Sequence, residues 1–109
     1  MVVIVFRARL RDGVDAERLA AAGSRMYELA SAMPGFLSYK DYAAEDGESL
    51  TLIEFASPET LAAWRDHPEH VAVQRQGRDE FFADYRIQVC EPQRDYRYSL
   101  AEGRLPPLD

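Results

Sequence analysis

Positive charge is in short supply in this chain. Thirteen lysines and arginines stand against 19 aspartates and glutamates, a formal net charge of −6 over 109 residues. Nucleic acid and anionic membrane surfaces both require a basic face, so neither is expected as a partner. Cysteine is nearly absent: Cys90 stands alone and no intrachain disulfide can form. A cytoplasmic location is the resulting expectation. Long apolar runs are missing as well, and the stretch from Met1 to Phe6 is too short for a signal peptide or a transmembrane span. There is no glycine-rich phosphate loop, no nucleophile elbow and no paired histidine–carboxylate motif. No cofactor is therefore expected, and no internal repeat is visible.

What remains is an ordinary globular composition, sufficient for one domain with one core. Val2 to Leu10 reads as a strand, continuously apolar at first and alternating from Phe6, with Arg7 and Arg9 on the polar side. After the Asp12-Gly13 turn, Asp15 caps a helix to about Met33, whose buried stripe is Leu19, Ala22, Met26, Leu29, Ala30 and Met33. Met33-Pro34-Gly35 stops it. Phe36 to Ala44 and Ser49 to Phe55 form a hairpin around Asp46-Gly47. Its first strand is expected to put Leu37, Tyr39 and Asp41 on one face and Phe36, Ser38, Lys40 and Tyr42 on the other. Ser57-Pro58-Glu59 opens a helix that ends near Asp66, because Pro68 cannot continue it. Asp66 or His67 caps a further helix from Pro68, with His70, Val73, Gly77 and Phe81 on one face. A fourth strand spans Tyr85 to Val89, with an extension through Pro92 to Tyr98 in view.

The order β-α-β-β-α-β, with its second helix broken, is the ferredoxin-like α+β pattern with an antiparallel sheet. Residues 1–98 make the domain and residues 99–109 a C-terminal tail or arm. Helices cover one sheet face. The other is expected to carry Val3, Val5, an aromatic residue of the second strand and a share of Ile53, Ile87 and Cys90. Leaving that surface wet costs about 25 cal/mol per Å², so a homodimer packed sheet on sheet is expected, as a barrel.

The most informative segment is Trp64-Arg65-Asp66-His67-Pro68-Glu69-His70. It holds the only tryptophan and both histidines within seven residues, at a proline-broken junction between two helices. Trp64 anchors the core of a short helix, and its ring also suits one wall of an aromatic-binding pocket. If buried, its indole N–H needs a partner, which a ligand oxygen would supply. His67, before Pro68, suits a helix cap or an exposed junction as well as a pocket. Two histidines three apart invite a metal, but no third ligand accompanies them and no zinc site is expected. Arg7 and Arg9 are expected to meet Glu54, Glu91 or residues of a dimer mate. Cys90 is expected as a buried strand residue.

Met33-Pro34-Gly35-Phe36, Trp64-x-x-His67-Pro68-x-His70, Ser57-Pro58-Glu59 and the amphipathic first helix together resemble the antibiotic biosynthesis monooxygenase superfamily of dimeric α+β barrels. The resemblance covers roughly residues 1–98. It implies a pocket between helices and sheet in each subunit, lined by Trp64 and the histidines of the broken helix. It also implies a cofactor-independent oxygenase among the possible activities. Such an enzyme takes a small aromatic molecule (a hydroquinone, phenol or polyketide anthrone) and molecular oxygen. On this footing His70 and Trp64 are the candidate catalytic residues. Tyr39, Tyr85, His67 and Phe81 are candidates for substrate binding, while Tyr27 and Tyr42 suit either pocket or structure. His70, in the first turn of a helix whose positive end disfavours imidazolium, would act as acid, base or hydrogen-bonding group. The chain departs from the superfamily in having no asparagine. The haem-degrading branch resembles an Asn-Trp-His pattern with Asn on the first strand, where this chain has Arg7, Ala8 and Arg9. The polyketide oxygenases also use a pocket Asn. Two other classes fit the same pocket: a non-catalytic dimeric module that binds a small aromatic, and an isomerase or cyclase working by proton transfer without oxygen.

Overall fold

The computed structural model describes residues 1–105. Its elements run β1 (Val2–Leu10), α1 (Ala16–Ala32), β2 (Phe36–Ala43), β3 (Ser49–Phe55), α2 (Pro58–Arg65), α3 (Pro68–Gln76), a π-turn (Gly77–Phe81), β4 (Phe82–Cys90), β5 (Arg97–Ser99) and β6 (Gly103–Leu105). The first four strands in the order β2-β3-β1-β4 make one antiparallel sheet. This is the α+β ferredoxin-like fold.

The helix starts follow from local chemistry. The Asp15 carboxylate accepts the Glu17 and Arg18 amides at 3.0 and 3.1 Å, satisfying two of the donors that open α1. Ser57 and Thr60 cap α2 reciprocally, with Pro58 at its first position. The Met33-Pro34-Gly35-Phe36 motif docks against that cap. Gly35 has φ +81°, and a Cβ there would lie 2.6 Å from the Thr60 side chain. Only glycine meets both demands. The Gly35 carbonyl then accepts the Ala56 amide at 2.7 Å, tying the start of β2 to the entry of α2.

Cross-strand register sorts the side chains into rows. Ile4 lies between Ile53 and Val89, with Tyr39 beyond Ile53; Phe6 lies between Thr51 and Ile87, with Asp41 beyond Thr51; Ala8 lies between Ser49 and Tyr85. These rows face the helices. A register shift between Phe36 and Ser38 breaks the alternation at the start of β2. Phe36 therefore packs on the core beside Tyr39 while Leu37 is exposed, so the expected pairing of Leu37 with Tyr39 on one face is corrected. The core gathers at one end of this layer, around Val2, Ile4, Leu29, Ala30, Ile53, Phe55, Leu61 and Trp64.

The opposite face carries Val3, Val5, Leu50 and Leu52, all half-buried, with Arg7, Arg9, Glu54 and Lys40 among them. Ile53 and Ile87, expected there, belong to the helix face, because each shares its row with Ile4 or Phe6. Arg7 pairs with Glu48 and Arg9 with Asp46, not with Glu54 or Glu91: the β2–β3 turn folds back towards them. Cys90 is exposed at the end of β4, where the expectation was a buried residue. β4 starts earlier than expected and stops at Cys90, ahead of Pro92. The extension towards Tyr98 is instead the hairpin β5–β6. Part of the segment expected as a tail is thus paired strand, and its last residues, 106–109, lie outside the described ones.

Candidate functional site

Beyond the packed end, the helical layer stands off the sheet and leaves a cavity of about 790 Å³. Its floor is the rows of Ile4, Phe6 and their neighbours, and its walls come from α1, α3 and the π-turn. Leu19, Ala22 and Met26 of the predicted α1 stripe line this space and are only half-buried; Leu29 and Ala30 alone are buried in that stripe. The stripe was legible, but a cavity wall and a packed interface share the same periodicity.

Trp64 and His70 meet at the inner end. Their ring centroids are 4.3 Å apart at 65°, and Trp64 stacks on Phe55 at 5.5 Å. The proline break produces this contact. α2 ends at Arg65, His67 caps α3, and α3 turns back so that a residue of its first turn reaches the Trp64 ring. Both rings are buried, 4% and 5% exposed. Trp64 Nε1 and His70 Nδ1 have no hydrogen-bond partner among the described residues. An orphaned buried polar atom is costly, and here two stand on touching rings.

Burial pushes the His70 pKa down from its usual range, with nearby His67 adding to the effect; the Arg65 carbonyl and the charge of Asp66 oppose it. The imidazole is therefore neutral at pH 7. A neutral imidazole has one donor and one acceptor nitrogen, and Nδ1 is the one buried without a partner. Both orphaned atoms thus belong to side chains that line the inner end: an indole N–H, which can only donate, and an imidazole nitrogen, which accepts in the tautomer protonated at Nε2.

Of the residues singled out from sequence, His70, Trp64, Tyr39, Tyr85 and Phe81 all line the cavity, as does Tyr27. Burial, with Asp41 adding to it, pushes the Tyr39 pKa up to about 12, so its hydroxyl stays a donor. His67 is outside the cavity lining. Its Nδ1 accepts the Glu69 amide at 3.1 Å, the capping role that was one of its sequence readings. Tyr42 faces the other side of the sheet, paired opposite Leu50. The two histidines therefore serve different ends, and no group of three metal-ligating side chains gathers among the described residues. Sequence reasoning missed the polar floor of Asp41 and Thr51, hydrogen-bonded at 2.6 Å, which no motif marks. It also missed the π-turn. No helix among the described residues is long and apolar enough to cross a membrane.

Comparison with known proteins gives concordant results. The protein YqjZ of Bacillus subtilis, itself uncharacterized, is 33% identical over 70 residues, covering 64% of this chain and 61% of its own length. The chain thus spans less than two thirds of that relative. Among solved structures, Rv0793 from Mycobacterium tuberculosis superposes with a TM-score of 0.73 at 23% identity, covering 84% of this chain and 93% of its own. SnoaB, a cofactor-independent oxygenase from Streptomyces nogalater, gives 0.70 at 13% identity over 93% and 97%. A dimeric ferredoxin-like protein of unknown function from Thermobifida fusca gives 0.66 at 18% over 84% and 92%. At such identities the structures speak to the fold alone. The model of one family, antibiotic biosynthesis monooxygenase, matches residues 1–76, from β1 through the whole Trp64–His70 segment to the end of α3, and the chain belongs to that family.

Proposed function

We propose that the cavity binds a small electron-rich aromatic bearing a ring hydroxyl, and that the protein oxygenates it without a cofactor. One observation carries this reading: the unpaired indole N–H of Trp64 and the unpaired Nδ1 of His70, on touching rings at the inner end of an aromatic-lined cavity. A hydroxyl both accepts and donates, so one ring hydroxyl satisfies both atoms. His70 takes the proton as general base, and Trp64 holds the oxygen as its charge develops. Asp66 and the Arg65 carbonyl favour the imidazolium that results. The anion passes an electron to O₂, and the resulting radicals combine at a ring carbon as a peroxide. Loss of water leaves one oxygen atom on the product. The balance for a hydroquinone is C₆H₆O₂ + O₂ → C₆H₄O₃ + H₂O; the substrate supplies all the electrons.

The same reading makes the protein a homodimer. Val3, Val5, Leu50 and Leu52 lie on the sheet face away from the helices, and a second copy covers them sheet on sheet. Light scattering of the purified chain is expected to give twice its 12.4 kDa mass.

The test is oxygen uptake by purified protein, metals chelated, against hydroquinones, naphthols and anthrones. Uptake with at least one class is expected. Binding without uptake and without product would favour a non-catalytic binding module. Product formed equally well without oxygen would favour an isomerase or cyclase using His70 for proton transfer.

A further inference from the structure

The outer end of the cavity lies about 13 Å from the inner one, four strand residues along from the Ile4 row to the Ala8 row. It is built of aromatic rings. Phe6 meets Phe82 at 5.5 Å and Tyr85 at 5.6 Å; Phe82 meets Tyr85 at 5.9 Å and Phe81 at 6.5 Å. Phe81 and Phe82 are neighbours in sequence, yet both line the cavity. Within a regular strand they would point to opposite faces. They share the wall because the chain passes from the π-turn into β4 between them.

A π-turn is a rare conformation, and here one side chain gathers its backbone carbonyls. The Arg11 guanidinium donates to the carbonyls of Phe82 at 3.1 Å, Asp79 at 2.6 Å and Arg78, while its backbone N–H donates to the Phe81 carbonyl at 2.8 Å. Four carbonyls in and just beyond the turn thus converge on one residue. Arg11 itself does not line the cavity. The turn also has no room to spare: a Cβ on Gly77 would lie 2.7 Å from Phe82 Cε2. Glycine there lets the Phe82 ring fold under the turn and close the aromatic wall.

We propose that Arg11 is a positioning residue that fixes the outer wall of the cavity and so sets how long a ring system it accepts. This rests on the reading that the cavity holds an aromatic ligand at Trp64 and His70. A one-ring ligand reaches only the inner end and is indifferent to Arg11; a ligand of three fused rings extends to Phe81 and Phe82 and depends on it.

Quenching of Trp64 fluorescence by hydroquinone and by a hydroxyanthracene tests this on the wild type, Arg11→Ala and Gly77→Ala, with melting curves for each. Both variants are expected to lose about tenfold or more in affinity for the three-ring probe while hydroquinone binding stays within about threefold. Equal losses for both probes, following the melting temperature, would reduce Arg11 to a structural residue and overturn the inference, as would unchanged selectivity in both variants. Should Arg11→Ala fail to fold, Gly77→Ala carries the same test, because it shifts Phe82 and leaves every Arg11 bond donor in place. Absence of binding by either probe to the wild type would instead bring down the cavity reading itself, and this inference with it.

Discussion

The two ends of the helix–sheet layer are built from similar residues and do opposite things. At one end Val2, Phe55, Ala30 and Trp64 are closed off almost completely, between 0% and 4% exposed. At the other, Phe6, Leu19 and Met26 are half-buried, and Tyr85 and Ile87 are 37% and 42% exposed, around empty space. α1 crosses both, and its apolar stripe serves as core over Leu29 and Ala30 and as cavity wall over Leu19 and Ala22. The hollow end is held open from outside. Arg18 bridges α1 to Glu80 at 2.7 Å and Arg25 bridges it to Glu69 at 2.6 Å; both pairs are solvent-exposed and add little to stability, but they fix the spacing of α1 from α3 and the π-turn. Close packing is thus concentrated at one end and open space at the other, and the Trp64–His70 contact stands on the boundary.

That contrast can be broken most forcefully by truncation. Phe55→Ala removes a fully buried ring on which Trp64 stacks and is expected to cost about 3–5 kcal/mol. Leu19→Ala, on the same side of the sheet but facing the cavity, is expected to cost less than about 1 kcal/mol, because little packing is lost there. Urea unfolding of the two variants measures both; similar losses would mean that the hollow end is packed in solution.

A smaller effect sharpens the boundary itself. The His70 pKa lies below its unfolded value of about 6.5, so the unfolded chain binds more protons than the native one in that range. Stability therefore rises with pH there: it is complete above about pH 6.5 and falls as pH drops from 6.5 towards the folded value. His70→Phe is expected to flatten that part of the profile, measured as melting temperature between pH 7 and pH 5.

Most of this architecture was legible in the chain, because caps and breakers act locally. Asp15, Ser57-Pro58 and Pro68 placed three helix starts, and the Asp46-Gly47 turn placed the hairpin. The proline break brought out Trp64 and His70 as neighbours. What failed depends on the partner strand or on the space between layers. The bulge that turns Phe36 inward is a property of β2–β3 register. The ion pairs of Arg7 and Arg9 depend on how the turn folds back. The π-turn needs Arg11, which is 67 to 71 residues away from the backbone it holds. Nor does periodicity separate a wall from a core, so the proline break pointed to a cavity at Trp64 and His70 while its reach along α1 was not legible in the stripe.

The central claim is that His70 Nδ1 takes the substrate proton, and one comparison tests it: oxygen uptake by His70→Gln and by wild type, set beside the dissociation constant of each for the same substrate. Uptake is expected to fall about 100-fold or more while the dissociation constant changes by less than about tenfold. Unchanged uptake in the variant would show that the proton goes elsewhere and that the unpaired nitrogen is only a feature of the core.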